Sequence, residues 1–250
     1  MLQQLREHFR DAQRLRRVLE VASREVAAVL ALFTVAVCAW VFLESVDEVV
    51  EGETEGIDRR ILLALRRGGG GHEPIGPRWL EMAAADVTAL GSTTVLVLVV
   101  AFVVGLFSIL GRRREALLVM LAAAGGATLS QGLKAIFDRE RPEAALRAVE
   151  VMNPSFPSGH AMLSAVVFLT IGVLSAHFAR QRHVKLYAVS AAVVTTLLVG
   201  LTRVYLGVHW PSDVLAGWSL GAAWALSCWL AAWAGLRPWR GWLRSPPHSG

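Results

Sequence analysis

The chain has 250 residues, 54% of them hydrophobic, with a formal net charge of +5 and a mean hydropathy of +0.48. This is too apolar for an ordinary water-soluble domain of that length, so a bilayer is the expected solvent. The two cysteines, Cys38 and Cys228, both fall in apolar runs, where a thiol acts as a small hydrophobe; they argue against a disulfide framework.

Residues 1–25 form an arginine-rich leader, read as a cytoplasmic amphipathic helix. Six runs with few or no charges follow, at 26–43, 90–110, 116–133, 161–179, 186–202 and 214–236. Runs of about 17 to 23 residues, rising 1.5 Å per residue, match a hydrocarbon core about 30 Å thick. Six of them would leave a soluble bundle almost no polar face, so the expected fold is all-α and polytopic, with six transmembrane helices. The first run follows a charged leader and shows no convincing cleavage site, which makes it a retained anchor and not a signal peptide. Residues 26–89 then comprise this anchor and an interfacial segment. In that segment "IDRRILLALRR" spaces Ile57, Ile61 and Leu65 for a helix on the membrane surface. "RRGGGGHEPIGP" reads as a break, and "RWLEMAAADVTAL" as a second short helix running into the second span. Residues 90–236 form one membrane domain without internal repeats, and 237–250 a cytoplasmic tail.

Charge distribution orients the chain. Counting segments alternately from the N-terminus, one side holds 15 of the 25 Lys and Arg but only 5 of the 20 Asp and Glu, a net +10 against −5 opposite. The positive-inside rule puts that side, with both termini, in the cytoplasm. Juxtamembrane arginines explain the basic leader and "GRRRE" with fewer assumptions than a nucleic-acid partner does, and contact with anionic headgroups suits them too.

Three polar clusters fall on the opposite, outer side. "KAIFDRERP" places Lys134 and Arg141 seven positions apart, in a chain with 23 arginines and only two lysines. Alone it reads as an interfacial charge run. "NPSFPSGH" offers Pro157 for a turn, Ser158 as a helix N-cap, Gly159 for close backbone approach and His160 at the edge of a helix N-terminus, a ready anion site. Alone it reads as an interfacial histidine beside a cap. "TRVYLGVHWPSD" adds Arg203, then His209 six positions on and Asp213 four further. If Pro211 opens the last helix, Asp213 can fold back to one nitrogen of His209, fix the tautomer and free the other nitrogen. The ring is expected at the interface and not in the packed core. Two histidines, an orienting carboxylate, three cations and a Ser-Gly helix start together describe a site for a phosphoryl group, with His209 as nucleophile and His160 as acid.

These three stretches, in this order, resemble the signature of the type 2 phosphatidic acid phosphatases, a superfamily that also contains the vanadium haloperoxidases. The resemblance covers roughly residues 90–236. It implies that Lys134, Arg141 and Arg203 bind phosphate, that Ser158 and Gly159 complete the cradle, that His160 is the general acid, and that His209 with Asp213 is the nucleophile pair. It also implies catalysis without a metal or other cofactor. Thr202 departs from the usual serine but keeps a hydroxyl. The six-span pattern resembles the bacterial integral-membrane branch, whose lipid substrates include undecaprenyl pyrophosphate, phosphatidylglycerol phosphate and phosphatidate. A multi-pass protein of the cytoplasmic membrane follows, with an outer-face site, lipid phosphate and membrane lipids as its partners, and no obligate protein partner. Hydrolysis competes with phosphotransfer to a second acceptor through the same intermediate, and with a non-catalytic lipid-phosphate binder or transporter. Polar residues at helix ends, and not at mid-membrane, weigh against transport.

Overall fold

The structure, a computed structural model, describes residues 2–69, 73–147 and 154–235, with side chains from residue 25 onward except at 145. Among these, eight α-helices run in order: α1 (Leu2–Glu51), α2 (Glu55–Ala64), α3 (Arg78–Ala89), α4 (Thr93–Ile109), α5 (Arg113–Phe137), α6 (Gly159–Phe178), α7 (Arg182–Tyr205) and α8 (Pro211–Gly235). The tail 237–250 and the end of the sixth expected span lie outside the described residues, as do 70–72 of the glycine-rich break and 148–153 of the long loop.

Five helices are long and apolar enough to cross a bilayer: α1 from Glu25 onward, α5, α6, α7 and α8. The pair α3 and α4, bent by 48° at the break between them, is long and apolar enough when taken together. With 17 residues, α4 alone is about 25 Å long. The expected continuous run through 90–110 is therefore broken, because Ser92 leaves helical geometry and caps α4, its Oγ accepting from Val95 N at 3.4 Å. The leader is not a separate element, since α1 continues through it.

The central helix is α6, which packs on α5, α7 and α8, while α1 lies along α8, α4 along α5, and α3 along α7. The close fit of α8 to α6 depends on Gly217 and Gly221, four residues apart on one face. A Cβ at Gly217 would lie 2.8 Å from Ser158 O, and one at Gly221 would lie 2.5 Å from Met162 O. In lipid, where no hydrophobic force drives one helix onto another, such small residues let backbones approach and dispersion do the work. Asp213 occupies the same face one turn earlier, and Ser158 N donates to its carbonyl at 2.9 Å. The packing seam thus ends at the polar clusters.

All three clusters lie at one end of the bundle, with α2 against them. Ile57 and Ile61 of α2 are exposed and turned away from the bundle, whereas Asp58 and Leu62 are buried. The helix has two apolar stripes, one outward and one against α8, and the inward stripe carries a carboxylate. Arg66, at the end of α2, is also buried; its guanidinium donates to the carbonyls of Leu146 (2.7 and 3.0 Å), Tyr205 (2.8 Å) and Leu65 (3.1 Å).

Candidate active site

Local signals present the site residues. Asp138 adopts a left-handed conformation (φ 38°) and ends α5, so the chain leaves the helix just before Arg139 and Arg141. After α7, Gly207 at φ 71° turns the chain so that His209 points back under it. Pro211 opens α8, which puts Asp213 in its first turn.

The pair His209 and Asp213 is buried, 1% and 0% exposed, which corrects the interfacial placement of the ring. The loops at 139–141 and 154–156 close over it, with Arg141 on one nitrogen and Ser155 on the other. His209 Nδ1 is 3.4 Å from Asp213 Oδ2 and Nε2 is 3.2 Å from an Arg141 guanidinium nitrogen. The carboxylate therefore claims Nδ1–H and leaves the Nε2 lone pair beside a cation. Burial holds the His209 ring well below its ordinary value, at about 3, and Arg141 and Arg203 add to this while Asp213 opposes it. The ring is neutral at physiological pH, as a nucleophile must be. Burial also lowers Arg141, to about 10, which leaves it cationic there.

The other expected residues converge on the start of α6. Lys134 Nζ donates to Pro154 O at 2.9 Å, and Arg141 reaches the same carbonyl at 3.5 Å. A Cβ on Gly159 would point at the Lys134 side chain, 3.5 Å from Cε, so glycine keeps this space open. His160 lies within electrostatic reach of Lys134, Arg141, Arg203 and His209. Arg203 is 6% exposed and donates to Thr88 Oγ1 of α3 at 3.3 Å. Ser158 stands at the N-cap position of α6, yet its hydroxyl makes no capping bond. Among the described residues four buried side-chain polar atoms lack a partner: Ser130 Oγ, Ser158 Oγ, Arg203 Nε and Thr170 Oγ1. Three of them gather where α5, α6 and α7 meet at this end. Orphaned buried donors are costly, and an anionic ligand with several acceptor oxygens satisfies them.

The family model of the PAP2 superfamily matches residues 115–237. Phosphatidylglycerophosphatase B of Bacillus subtilis is 37% identical over 146 residues, 57% of this chain and 70% of that protein. The chain belongs to the PAP2 superfamily. The crystal structure of a transmembrane PAP2 type phosphatidylglycerolphosphate phosphatase from Bacillus subtilis superposes with a TM-score of 0.72 at 28% identity, over 82% of this chain and 98% of that one. An undecaprenyl-diphosphatase of Sulfolobus acidocaldarius is 37% identical over 68 residues, 27% of this chain and 29% of the relative. A decaprenylphosphoryl-5-phosphoribose phosphatase of Mycobacterium tuberculosis is 33% identical over 114 residues, 44% and 58% respectively. This PAP2 protein is thus a multi-pass, all-helical membrane protein.

Sequence reasoning missed several residues of the site. Arg139 and Ser155 stood inside the quoted stretches without a role, and Asp58 and Thr88 lie far away in the chain. Ser155 Oγ donates to Asp213 Oδ2 and lies 3.4 Å from His209 Nδ1. Arg139 donates to Asp213 Oδ1 at 2.6 Å. One signal pointed to Asp58: it stands four residues before Leu62, on the same stripe of α2.

Proposed function

We propose that this PAP2-family phosphatase hydrolyses a phosphomonoester or pyrophosphate on a lipid headgroup through a phosphohistidine, at the outer face of the cytoplasmic membrane. The observation that carries this reading is the grouping of Lys134, Arg141 and Arg203 within electrostatic reach of His160, with Arg141 on His209 Nε2 and the unpartnered Ser158 hydroxyl at the N-terminus of the helix that carries His160. The cations and the first N–H groups of α6 hold the non-bridging oxygens. Nε2 of His209 attacks phosphorus in line, forming an N–P bond as the P–O bond to the lipid breaks, and His160 gives its proton to the leaving oxygen. Water then attacks phosphorus, His160 takes its proton and the N–P bond breaks. Asp213 holds Nδ1–H and stabilises the charge that develops on the ring. The charge asymmetry of the loops supports the outer face and cytoplasmic termini. The relatives' names support undecaprenyl pyrophosphate and phosphatidylglycerol phosphate as substrates, with phosphatidate as a third of the same chemistry.

The test is phosphate release by detergent-solubilised protein, with chelator present, from these three lipids, beside His209→Ala. Release that survives chelation and is lost in the variant is expected. No release from any of them by folded protein would overturn the hydrolytic reading and turn attention to phosphotransfer with an added acceptor lipid.

A further inference from the structure

Asp213 is held from two directions. Oδ2 accepts from the Trp210 amide at 2.9 Å, from the Ser155 hydroxyl and from the His209 ring. Oδ1 faces away from the ring and takes Arg139 at 2.6 Å. The other terminal nitrogen of the same guanidinium donates to Asp58 Oδ2 at 3.0 Å and Thr54 Oγ1 at 3.2 Å. Asp58 Oδ1 accepts from the backbone N–H of Ser212 at 3.0 Å, and the Ser212 hydroxyl, itself accepting from Arg139 at 2.8 Å, donates to Asp58 Oδ2. Both carboxylates are nearly inaccessible, at 3% and 0% side-chain exposure, and the Arg139 side chain is 13% exposed.

The charge of this group bears on His209. A largely shielded guanidinium 2.6 Å from Asp213 would by itself cancel most of the negative potential that Asp213 presents to the ring. With Asp58 on its other edge, the trio carries one net negative charge, and Asp213 keeps its pull on the imidazolium that forms as Nε2 bonds to phosphorus. The planar fork also fixes the carboxylate plane from behind, as partners of ligating or orienting groups do elsewhere. α2 lies outside the stretch matched by the family model.

We propose that Asp58 and Arg139 are positioning residues that set the orientation and charge of Asp213, so that α2 tunes the proton held on His209 Nδ1. The role rests on the phosphohistidine reading above. Asp58→Asn keeps the size, removes the charge and turns one acceptor oxygen into a donor that faces the Ser212 amide or the Arg139 guanidinium. The expected result is a kcat about tenfold lower with KM within about twofold, and a loss of less than about twofold when the change is made in an Asp213→Asn background. Asp58→Glu restores most of the turnover. A second readout does not need turnover: in protein with 15N-labelled histidine, the downfield Nδ1–H proton of His209 moves upfield in Asp58→Asn. If the parental protein releases no phosphate, the hydrolytic reading fails while this resonance still decides the relay. An unmoved resonance overturns the proposal, and so does parental kcat in Asp58→Asn. An equal loss in both backgrounds also overturns it, because it would mark a purely structural bond.

Discussion

Helices α1 and α6 are both strongly apolar, with mean hydropathies of 2.7 and 2.0 over their best windows, yet 6% of the first window is buried and 50% of the second. Hydropathy reports the solvent a helix tolerates and says nothing of which helices touch each other. What separates the two is where small and polar residues fall. The N-terminus of α6 carries Ser158, Gly159 and His160 and meets Gly217 and Gly221 of α8, whereas α1 exposes Phe33, Leu32 and Val29 to the surroundings. In this protein the inner helices build chemistry and the outer ones supply hydrocarbon.

The comparison can be tested from its strongest side. His209→Ala should lower turnover by about 10⁴-fold or more, near 5.5 kcal/mol of barrier, with the thermal midpoint in detergent measured beside it to show that the protein stays folded. Asp213→Asn should cost about 10²- to 10⁴-fold by favouring the wrong tautomer, and parental rates in a phosphate-release assay would remove Asp213 from the mechanism. Gly221→Val should force α8 off α6 and lower stability by about 2–3 kcal/mol, read as a lower unfolding midpoint; an unchanged midpoint would break the account of the seam. Acid should act through His209. Its folded value of about 3 lies below the ordinary 6.5, so between these pH values the unfolded chain binds the additional proton and stability falls as pH falls. Between pH 7 and pH 5 the midpoint should therefore drop more in the parental protein than in His209→Gln. At the weak end, Phe33→Leu on α1, at a side chain 68% exposed, should change stability by less than about 0.5 kcal/mol. A larger loss would mean that α1 is packed more like α6 than its exposure shows.

Much of the fold was legible because a bilayer restricts the options to apolar helices of one length. The break at Ser92 was not, since cap and continuation look alike inside an apolar run. The polar clusters were legible as local spacing: His209 and Asp213 stand one helical turn apart, and Ser158, Gly159 and His160 are consecutive. Contacts over long sequence distances left no such period. Asp58 meets Ser212 across 154 residues and Arg139 meets Asp213 across 74; the packing of α2 on α8 makes the first contact and the loop after α5 the second. The inward stripe of α2 went unseen for a physical reason: Ile57 and Ile61 form the more regular apolar stripe, and an acid beside Leu62 reads as solvated until α8 covers it. The burial of His209 was hidden likewise, because a ring between a span end and a tryptophan reads as interfacial until the 139–141 and 154–156 loops cover it.

Arg66 has a consequence for the cost of binding. By gathering carbonyls from the end of α2, from the loop after Arg141 and from the end of α7, it immobilises the strands of chain that carry Arg141, Arg203 and His209 before any lipid arrives. Fixing one residue's backbone costs about 1–2 kcal/mol of entropy, and here that loss is incurred at folding. A small headgroup therefore meets groups already in place, and its binding energy remains available for alignment of the phosphorus with Nε2.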